Sequence, residues 1–345
     1  MRTLLRLRYT WMSIACVAAL TLTNWLGEVT GYRFWQPGIN TNSERVFVFQ
    51  RFVDHADVVF LGSSRTEQGI NAPEIEAALT DVAGKPVSAY SLGVPNAMML
   101  ESASFVDNLL VGSKTPKVAV VSVSVQDLYV TPESAMTHYR YYATQGEIYR
   151  FLPTVRTERE FEAAMYGLCR GLSSFELAIV ANPGLAEFQK RIDENIRQRG
   201  SHWRDPNGPK GSRFSDKPDQ AEIIESIMKT QGELVVDAKY DGPAVDALRH
   251  ILAVARERGI SVLLLEHPLL PEFYVRFAET QAYKDYKAFI HAFAQKEGVP
   301  LFERTGAEMG FTGRDYHDAD HMHVEGARKF SRILATDAIA PLLAK

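Results

Sequence analysis

The feature that most constrains the fold of this chain is the alternation of short apolar runs with amphipathic helical segments. Residues 57–61, 87–92, 117–124, 261–265 and 299–302 are predicted as strands, and the third is too apolar to be half exposed. Strands that alternate with helices usually pair in parallel. The sequence therefore predicts the α/β class, with a parallel sheet that has helices on both faces.

The helices between these strands are predicted from capping residues and apolar spacing. Asn71 is the expected N-cap of a helix that includes Pro73, and Gly259 is expected just after the end of another. The predicted helices cover residues 72–79, 98–110, 245–255 and 283–297, and a last helix begins near Glu325.

The pattern changes in the middle of the chain, which predicts an inserted domain. Residues 131–241 are largely helical in pattern without recognisable strands, and the polar Gly/Pro stretch at 205–211 is expected to form a mobile loop. We interpret them as a helical cap inserted into an α/β domain of residues 57–130 and 242–345. Residues 31–56 are predicted to be a tether.

The N-terminal segment predicts a membrane anchor. Arg2, Arg6 and Arg8 precede an uncharged stretch from residue 9 to 26, about the length that crosses a bilayer. Basic residues on the N-terminal side place that end in the cytoplasm. We expect residues 1–30 to be a single-pass signal anchor in the cytoplasmic (inner) membrane, with the remainder on the periplasmic or extracytoplasmic side. A cleaved signal peptide and a buried helix are the alternatives.

A candidate nucleophile follows the first predicted strand. Ser64 comes at the end of Gly62-Ser63-Ser64, just beyond the carboxyl end of residues 57–61, where open α/β sheets bind ligands. A following helix would offer its N-terminal amides to negative charge. The alternative is that these three residues only make a tight turn.

A candidate base lies near the other end of the chain. Asp318 precedes His321 by three residues, a spacing that lets the carboxylate orient one ring nitrogen. Asp320 with His323 is a second possible pairing. Two alternatives stay open, namely a polar helix N-terminus capped by an aspartate and a metal site. The metal site would draw on residues that crowd together here: His317, Asp318, Asp320, His321 and His323.

Three further residues follow predicted strands at the same edge of the sheet. Gly93 could present its backbone N–H to a developing oxyanion, and Gln126 could donate a side-chain N–H. Plain turns explain both residues equally well. His267 follows the fourth strand and is a candidate either for lining the pocket or for a structural role.

Four blocks in this order resemble the SGNH (GDSL-like) hydrolase superfamily. Its Gly-x-Ser block matches residues 62–64, its oxyanion glycine matches Gly93, and its Gly-x-Asn-Asp block corresponds to residues 124–127. Its Asp-x-x-His block, with a glycine five residues after the histidine, matches residues 318–326. The family asparagine is replaced here by Gln126, which is one methylene longer.

The resemblance implies a flavodoxin-like three-layer α/β/α fold and an acyl-enzyme mechanism. Ser64 would be the nucleophile, His321 the base and Asp318 the partner of that base. No metal and no other cofactor is implied. The oxyanion donors would be the backbone amides of Ser64 and Gly93, either alone or with a side-chain donor from Gln126 or Asn96.

The predicted anchor makes the chain similar to the cell-envelope branch of that superfamily, such as the D-alanyl transfer and alginate O-acetylation proteins. This similarity implies an esterase or O-acyltransferase acting on an envelope glycan or glycolipid, with a multi-span membrane-bound O-acyltransferase as partner. Tyrosines at 139–149 would stack on sugar rings or pack the cap. An inactive glycan-binding or assembly module and a metal-dependent hydrolase are the alternatives. The net charge of −4 gives no reason to expect nucleic acid as a partner.

Overall fold

The computed structural model describes most of the α/β region and parts of the remainder. The described residues are 44–128, 152–169, 213–234 and 240–344, with residues 15, 18, 19, 21–23, 138 and 147–149. They belong to two compact units, Met1–Arg51 with Met136–Gln198 and Phe52–Ala135 with Arg199–Lys345. No helix among them is both long and apolar enough to cross a bilayer. Of the predicted span of residues 9–26, 12 residues lie outside them, as do the whole loop at 205–211 and Tyr139, Tyr141 and Tyr142.

The second unit contains a five-stranded sheet in which every pairing is parallel. The strands are β1 (Val58–Gly62), β2 (Ala89–Gly93), β3 (Val118–Ser122), β4 (Ser261–Leu265) and β5 (Leu301–Phe302). Their order, β2-β1-β3-β4-β5, is that of flavodoxin-like doubly wound sheets. All residues of β1, β2 and β3 are buried, which accounts for their nearly continuous apolar sequences. The predicted α/β class and parallel sheet are confirmed.

The described helices include those that alternate with the strands of the second unit and two, the first and the fifth, that lie mainly in the other unit. They are α1 (Glu44–Phe52), α2 (Ser64–Gly69), α3 (Ala72–Ala83), α4 (Met99–Asn108), α5 (Glu158–Leu168), α6 (Gln220–Leu234), α7 (Pro243–Glu257), α8 (Pro271–Phe277), α9 (Gln281–Glu297), α10 (Val324–Leu334) and α11 (Ala340–Leu343). Short 3₁₀ turns cover Gly112–Lys114, Leu152–Thr154 and Phe214–Asp216, and a π-helical turn covers Ala335–Ile339.

Helices cover both faces of the sheet. The chain moves one way from β1 to β2 and the opposite way from β2 to β3, and right-handed connections then place α3 and α4 on opposite faces. On one face α10 packs against α2 and α3, where the Asn71 N–H donates to Ser331 Oγ at 2.8 Å. On the other, α4 packs against α7, and Arg258 donates to the Val106 carbonyl at 2.6 Å.

Local signals in the sequence account for several helix ends. The Asn71 side chain accepts the backbone N–H of Glu74 at 3.1 Å, which is the predicted N-cap of α3. Gly259 follows the C-cap of α7 with φ 68°, a left-handed conformation that favours glycine. In the other unit, Ile148 and Ala164 are buried together.

Candidate active site

The candidate nucleophile sits at the junction of β1 and α2. The helix begins at Ser64 itself, directly after the extended residue Ser63. Gly62 and Gly93 are register partners at the ends of β1 and β2, and α2 packs closely over both. A Cβ on Gly93 would lie 2.3 Å from the Glu67 nitrogen, and one on Gly62 would lie 2.3 Å from Thr66 Oγ1. Both glycines are therefore required for this close approach.

The candidate base lies on a short loop just before α10. Hydrogen bonds within this loop and to the residues after β4 hold it in place. Tyr316 and Met322 form an isolated antiparallel bridge, so the chain between them turns back on itself. The Tyr316 hydroxyl donates to the Leu269 carbonyl at 2.9 Å, and the Leu270 N–H donates to the Ala319 carbonyl at 3.0 Å. The residues after β4 thus hold the loop against the carboxyl edge of the sheet.

The structure brings Ser64, His321 and Asp318 into one chain of hydrogen bonds. Ser64 Oγ lies 2.8 Å from His321 Nε2, although 257 residues separate them in sequence. His321 Nδ1 lies 3.0 Å from each carboxylate oxygen of Asp318. Because a carboxylate only accepts, Nδ1 carries a proton, and in the neutral imidazole Nε2 accepts the Ser64 hydroxyl proton.

A second carboxylate reaches the same ring nitrogen. Asp320 Oδ1 lies 3.0 Å from His321 Nδ1, while Asp320 Oδ2 accepts two hydrogen bonds from Arg65, at 2.8 Å and 3.2 Å. The Asp318 carboxylate also accepts the backbone N–H groups of Asp320 and His321, at 3.0 Å and 2.8 Å. These backbone hydrogen bonds fix the loop around the Asp318 carboxylate. As a result, both Asp318 and Asp320 face the imidazole.

The charges around His321 favour its protonated form. Burial lowers the pKa of His321, but the hydrogen bonds and negative charges of Asp318 and Asp320 outweigh it, so the pKa is raised. Burial would raise the pKa of the Asp320 carboxyl, but Arg65 and His321 hold it well below its usual range. Asp320 is therefore ionised throughout the range in which His321 titrates.

The residues directly after β3 also belong to the site, beside the β1–α2 junction and the loop before α10. Gln126 Oε1 accepts from Arg65 at 3.3 Å, and because arginine only donates, this contact directs the Gln126 –NH₂ away from the guanidinium. Burial raises the pKa of the neighbouring Asp127 to about 6, although Arg65 and the hydroxyls of Ser124, Ser122 and Ser63 oppose the shift. The Ser63 bond to Asp127 ties the nucleophile turn to the end of β3.

The remaining sequence candidates occupy less direct positions. His267 is buried, and its Nε2 lies 3.1 Å from Thr66 Oγ1; burial, Arg65 and His321 lower its pKa to about 3. It therefore stays neutral and packs beneath the site. Asn96 is exposed, with φ 60°, in the turn after β2. The Gly93 N–H donates to Ser91 Oγ at 3.3 Å.

His323, the other histidine of the predicted pairings, occupies the N-cap position of α10, and its side chain makes no capping hydrogen bond there. Its Nδ1 is buried without a hydrogen-bond partner among the described residues, and burial and Arg213 lower its pKa. The structure therefore places His321 against Ser64 and directs Asp320 to Arg65 and His321.

A metal ion does not fit this donor set. Asp318, Asp320 and His321 offer ligand atoms that lie within 4.8 Å of one another. However, Asp320 Oδ2 is already bonded to the Arg65 guanidinium, and His321 Nε2 faces Ser64. A buried fixed positive charge beside the cluster would oppose a second cation. The arrangement favours the hydrogen-bonded triad over a metal site.

Arg65 is the residue that the sequence analysis missed. It follows the nucleophile directly, only 7% of it is exposed, and it contacts both Asp320 and Gln126. The signal was available, since a charged residue in a buried strand-to-helix turn requires an opposite charge nearby. The sequence alone did not show which of the many acidic residues supplies it.

Comparison with known proteins adds little to this geometry. No family model and no curated protein matches the chain. A solved structure of a proposed acylhydrolase from Bacteroides fragilis is similar over 89% of this chain and 98% of that chain, with 10% identity and a TM-score of 0.38. A likeness this distant carries no argument, so the fold and the site rest on the chain's own structure.

Proposed function

We propose that this chain is a serine esterase or O-acyltransferase that works through an acyl-enzyme intermediate. The observation that carries the proposal is the hydrogen-bonded series Ser64, His321 and Asp318, with distances of 2.8 Å and 3.0 Å. The series lies at the carboxyl edge of the sheet, near the neighbouring strands β1 and β3. The chain leads from β1 to β2 on one side of this pair and from β3 to β4 on the other side. This switch point is where doubly wound sheets bind ligands.

In the proposed reaction the Ser64 oxygen attacks the carbonyl carbon of an acyl ester while His321 Nε2 takes the hydroxyl proton. Asp318 keeps the other ring proton on Nδ1 and stabilises the imidazolium. Collapse of the tetrahedral intermediate breaks the ester bond, and His321 returns the proton to the leaving alkoxide. Water or an acceptor hydroxyl then attacks the acyl-serine with His321 again as base, which releases acid or transfers the acyl group.

The oxyanion of the intermediate requires N–H donors near Ser64. The Ser64 amide belongs to the first turn of α2, where N–H groups have no partner within the helix. The Gln126 –NH₂ is directed away from Arg65 and is the side-chain candidate. Gly93 would have to exchange its contact with Ser91 for one with the oxyanion, so we place it after these two donors. Loss of one such donor typically costs on the order of 10²–10³ in rate.

Covalent labelling with a fluorophosphonate tests the proposal. We expect the wild-type chain to react at a rate that Ser64→Ala abolishes and that chelators do not change. Ser63→Ala is the matched control, because its hydroxyl is engaged with Asp127, and we expect it to retain labelling. Labelling that survives Ser64→Ala would overturn the assignment. If the Ser64→Ala variant is not labelled but keeps the biological activity of the wild type, a binding or assembly module is favoured instead.

The setting of this activity is a further proposal that rests on the N-terminal sequence. Arg2, Arg6 and Arg8 before the uncharged residues 9–26 support a single-pass anchor with the α/β unit outside the cytoplasm. An exported enzyme tethered to a membrane would meet acyl esters of envelope glycans or glycolipids and a multi-span acyl donor protein. Protease added to intact spheroplasts should digest the α/β unit but spare a cytoplasmic control protein. Protection of that unit would contradict the orientation.

A further inference from the structure

We propose that Arg65 is a positioning residue that sets the proton affinity of His321 by partly neutralising Asp320. The inference deepens the proposed function, since it assigns a role beside the nucleophile to a residue outside the triad. It rests on the geometry of Arg65, Asp320 and His321. Arg65 acts through Asp320 and is given no contact with the reacting atoms.

The guanidinium joins two segments that are far apart in sequence. Arg65 follows the nucleophile in α2, whereas Asp320 precedes the base in the loop before α10. The side chains of Arg65 and Asp320 are 8% and 12% exposed, so little water screens their ion pair. A buried pair with two hydrogen bonds to one carboxylate oxygen fixes the distance between the segments. Their alignment is what lets Ser64 reach His321.

Titratable groups on three other segments interact with this pair. Asp127 lies beyond β3, His267 beyond β4 and Tyr286 on α9, and each interacts electrostatically with Arg65. Asp127 and Asp320 therefore share one cation. His267 stays neutral, and the buried Tyr286 hydroxyl has no hydrogen-bond partner among the described residues. Arg65 is the cation that balances both buried carboxylates.

This arrangement has a definite consequence for the base. Two carboxylates on one imidazole raise its pKa, because both attract the ring proton. Asp318 has no such cationic partner among the described contacts, but Asp320 has Arg65 at 2.8 Å. The guanidinium lets Asp320 orient the Nδ1–H while it weakens the attraction of that carboxylate for the proton. Orientation is thereby kept, and the pKa of His321 is raised less than two unpaired carboxylates would raise it.

Charge variants at the two positions should move the titration of His321 in opposite directions. Asp320→Asn removes an attracting charge, so the midpoint should fall by about one pH unit or more. Arg65→Met leaves the Asp320 charge to His321 alone, so the midpoint should rise. The double variant should lie between the two. Arg65→Lys keeps the charge but loses the fixed pair of guanidinium donors. The titration midpoint of His321 in this variant should therefore stay near that of the wild type.

The experiment is a ring-NMR titration of the full-length chain, with the His321 signal assigned by its loss in His321→Gln. The rate of fluorophosphonate labelling against pH is measured on the same samples. Lys117→Met is the matched control, because it removes the cation of another ion pair, with Asp57, at the opposite end of the sheet. We expect it to leave the His321 midpoint unchanged.

Opposite shifts in the two single variants would support the inference, whereas unchanged midpoints or shifts in one direction would overturn it. If Arg65→Met does not fold, Asp320→Asn and the double variant still decide. The Asp320→Asn midpoint should then lie below that of the double variant, and equal midpoints would overturn the role of Arg65. Absence of Ser64-dependent labelling in the wild type would instead count against the proposed function, because the NMR midpoints do not depend on activity.

Discussion

Replacing Asp318 by Asn should cost less activity than the same change in a triad with one carboxylate. In a single-carboxylate triad this change lowers kcat by about 10⁴, because the imidazole adopts the wrong tautomer. Here Asp320 Oδ1 remains 3.0 Å from His321 Nδ1 and still accepts its proton. The loss is then one of two charge-assisted hydrogen bonds, worth about 1.5–3 kcal/mol. That corresponds to about 10–10² in rate, whereas Asp318→Asn with Asp320→Asn should lose about 10⁴.

The assay is the second-order rate constant of fluorophosphonate labelling, with circular dichroism to confirm that each variant is folded. Asp216→Asn is a suitable control, because Asp216 bonds Ser215 in the turn after Arg213 and should leave the rate unchanged. A 10⁴-fold loss in Asp318→Asn alone, with no further loss in the double variant, would refute the shared support of Nδ1. An unchanged rate in Asp318→Asn would refute Asp318 as the partner of the base.

Two predictions concern stability. Gly93→Ala would bring a Cβ to 2.3 Å from the Glu67 nitrogen, so urea denaturation should show that the free energy of unfolding falls by about 1–3 kcal/mol or more. The control is Gly242→Ala, whose Cβ meets nothing within 4 Å and which should lose less than about 1 kcal/mol. Equal losses in the two variants would contradict the close packing of α2. The raised pKa of Asp127, about 6, adds stability below the pKa of an unfolded carboxyl, and this stability disappears as the pH rises through the folded value. The free energy of unfolding is measured for the wild type and for Asp127→Asn at about pH 4 and about pH 7. Between these two pH values, the stability of the wild type relative to the variant should fall by on the order of 2 kcal/mol. A difference between the two proteins that does not vary with pH would be inconsistent with the buried carboxyl.

The sheet was predictable because β1, β2 and β3 are covered on both faces. Full burial of β1, β2 and β3 requires apolar residues at successive positions, and such runs stand out from the helices between them. Strand ends were less certain, and the prediction of residues 117–124 ran two residues past the end of β3 at Ser122. Val123 and Ser124 are also buried, so burial alone did not mark the end of the ladder.

The site was predictable only in part. Asp318 and His321 are three residues apart, so their contact is local and follows from spacing. The contact of Ser64 with His321 required the assumption that both segments meet at one edge of the sheet. The ion pair of Arg65 with Asp320 spans 255 residues, and no local pattern specifies it. Likewise, the sequence showed a glycine at 93 but not that α2 would pack directly over it.

The most direct test of the account is to locate the fluorophosphonate adduct by mass spectrometry in the wild type and in two histidine variants. We predict an adduct on Ser64 in the wild type and in His323→Ala, and none in His321→Ala, because His321 is the ring that lies 2.8 Å from the Ser64 hydroxyl. An adduct on another serine, or one that persists in His321→Ala and disappears in His323→Ala, would contradict the account.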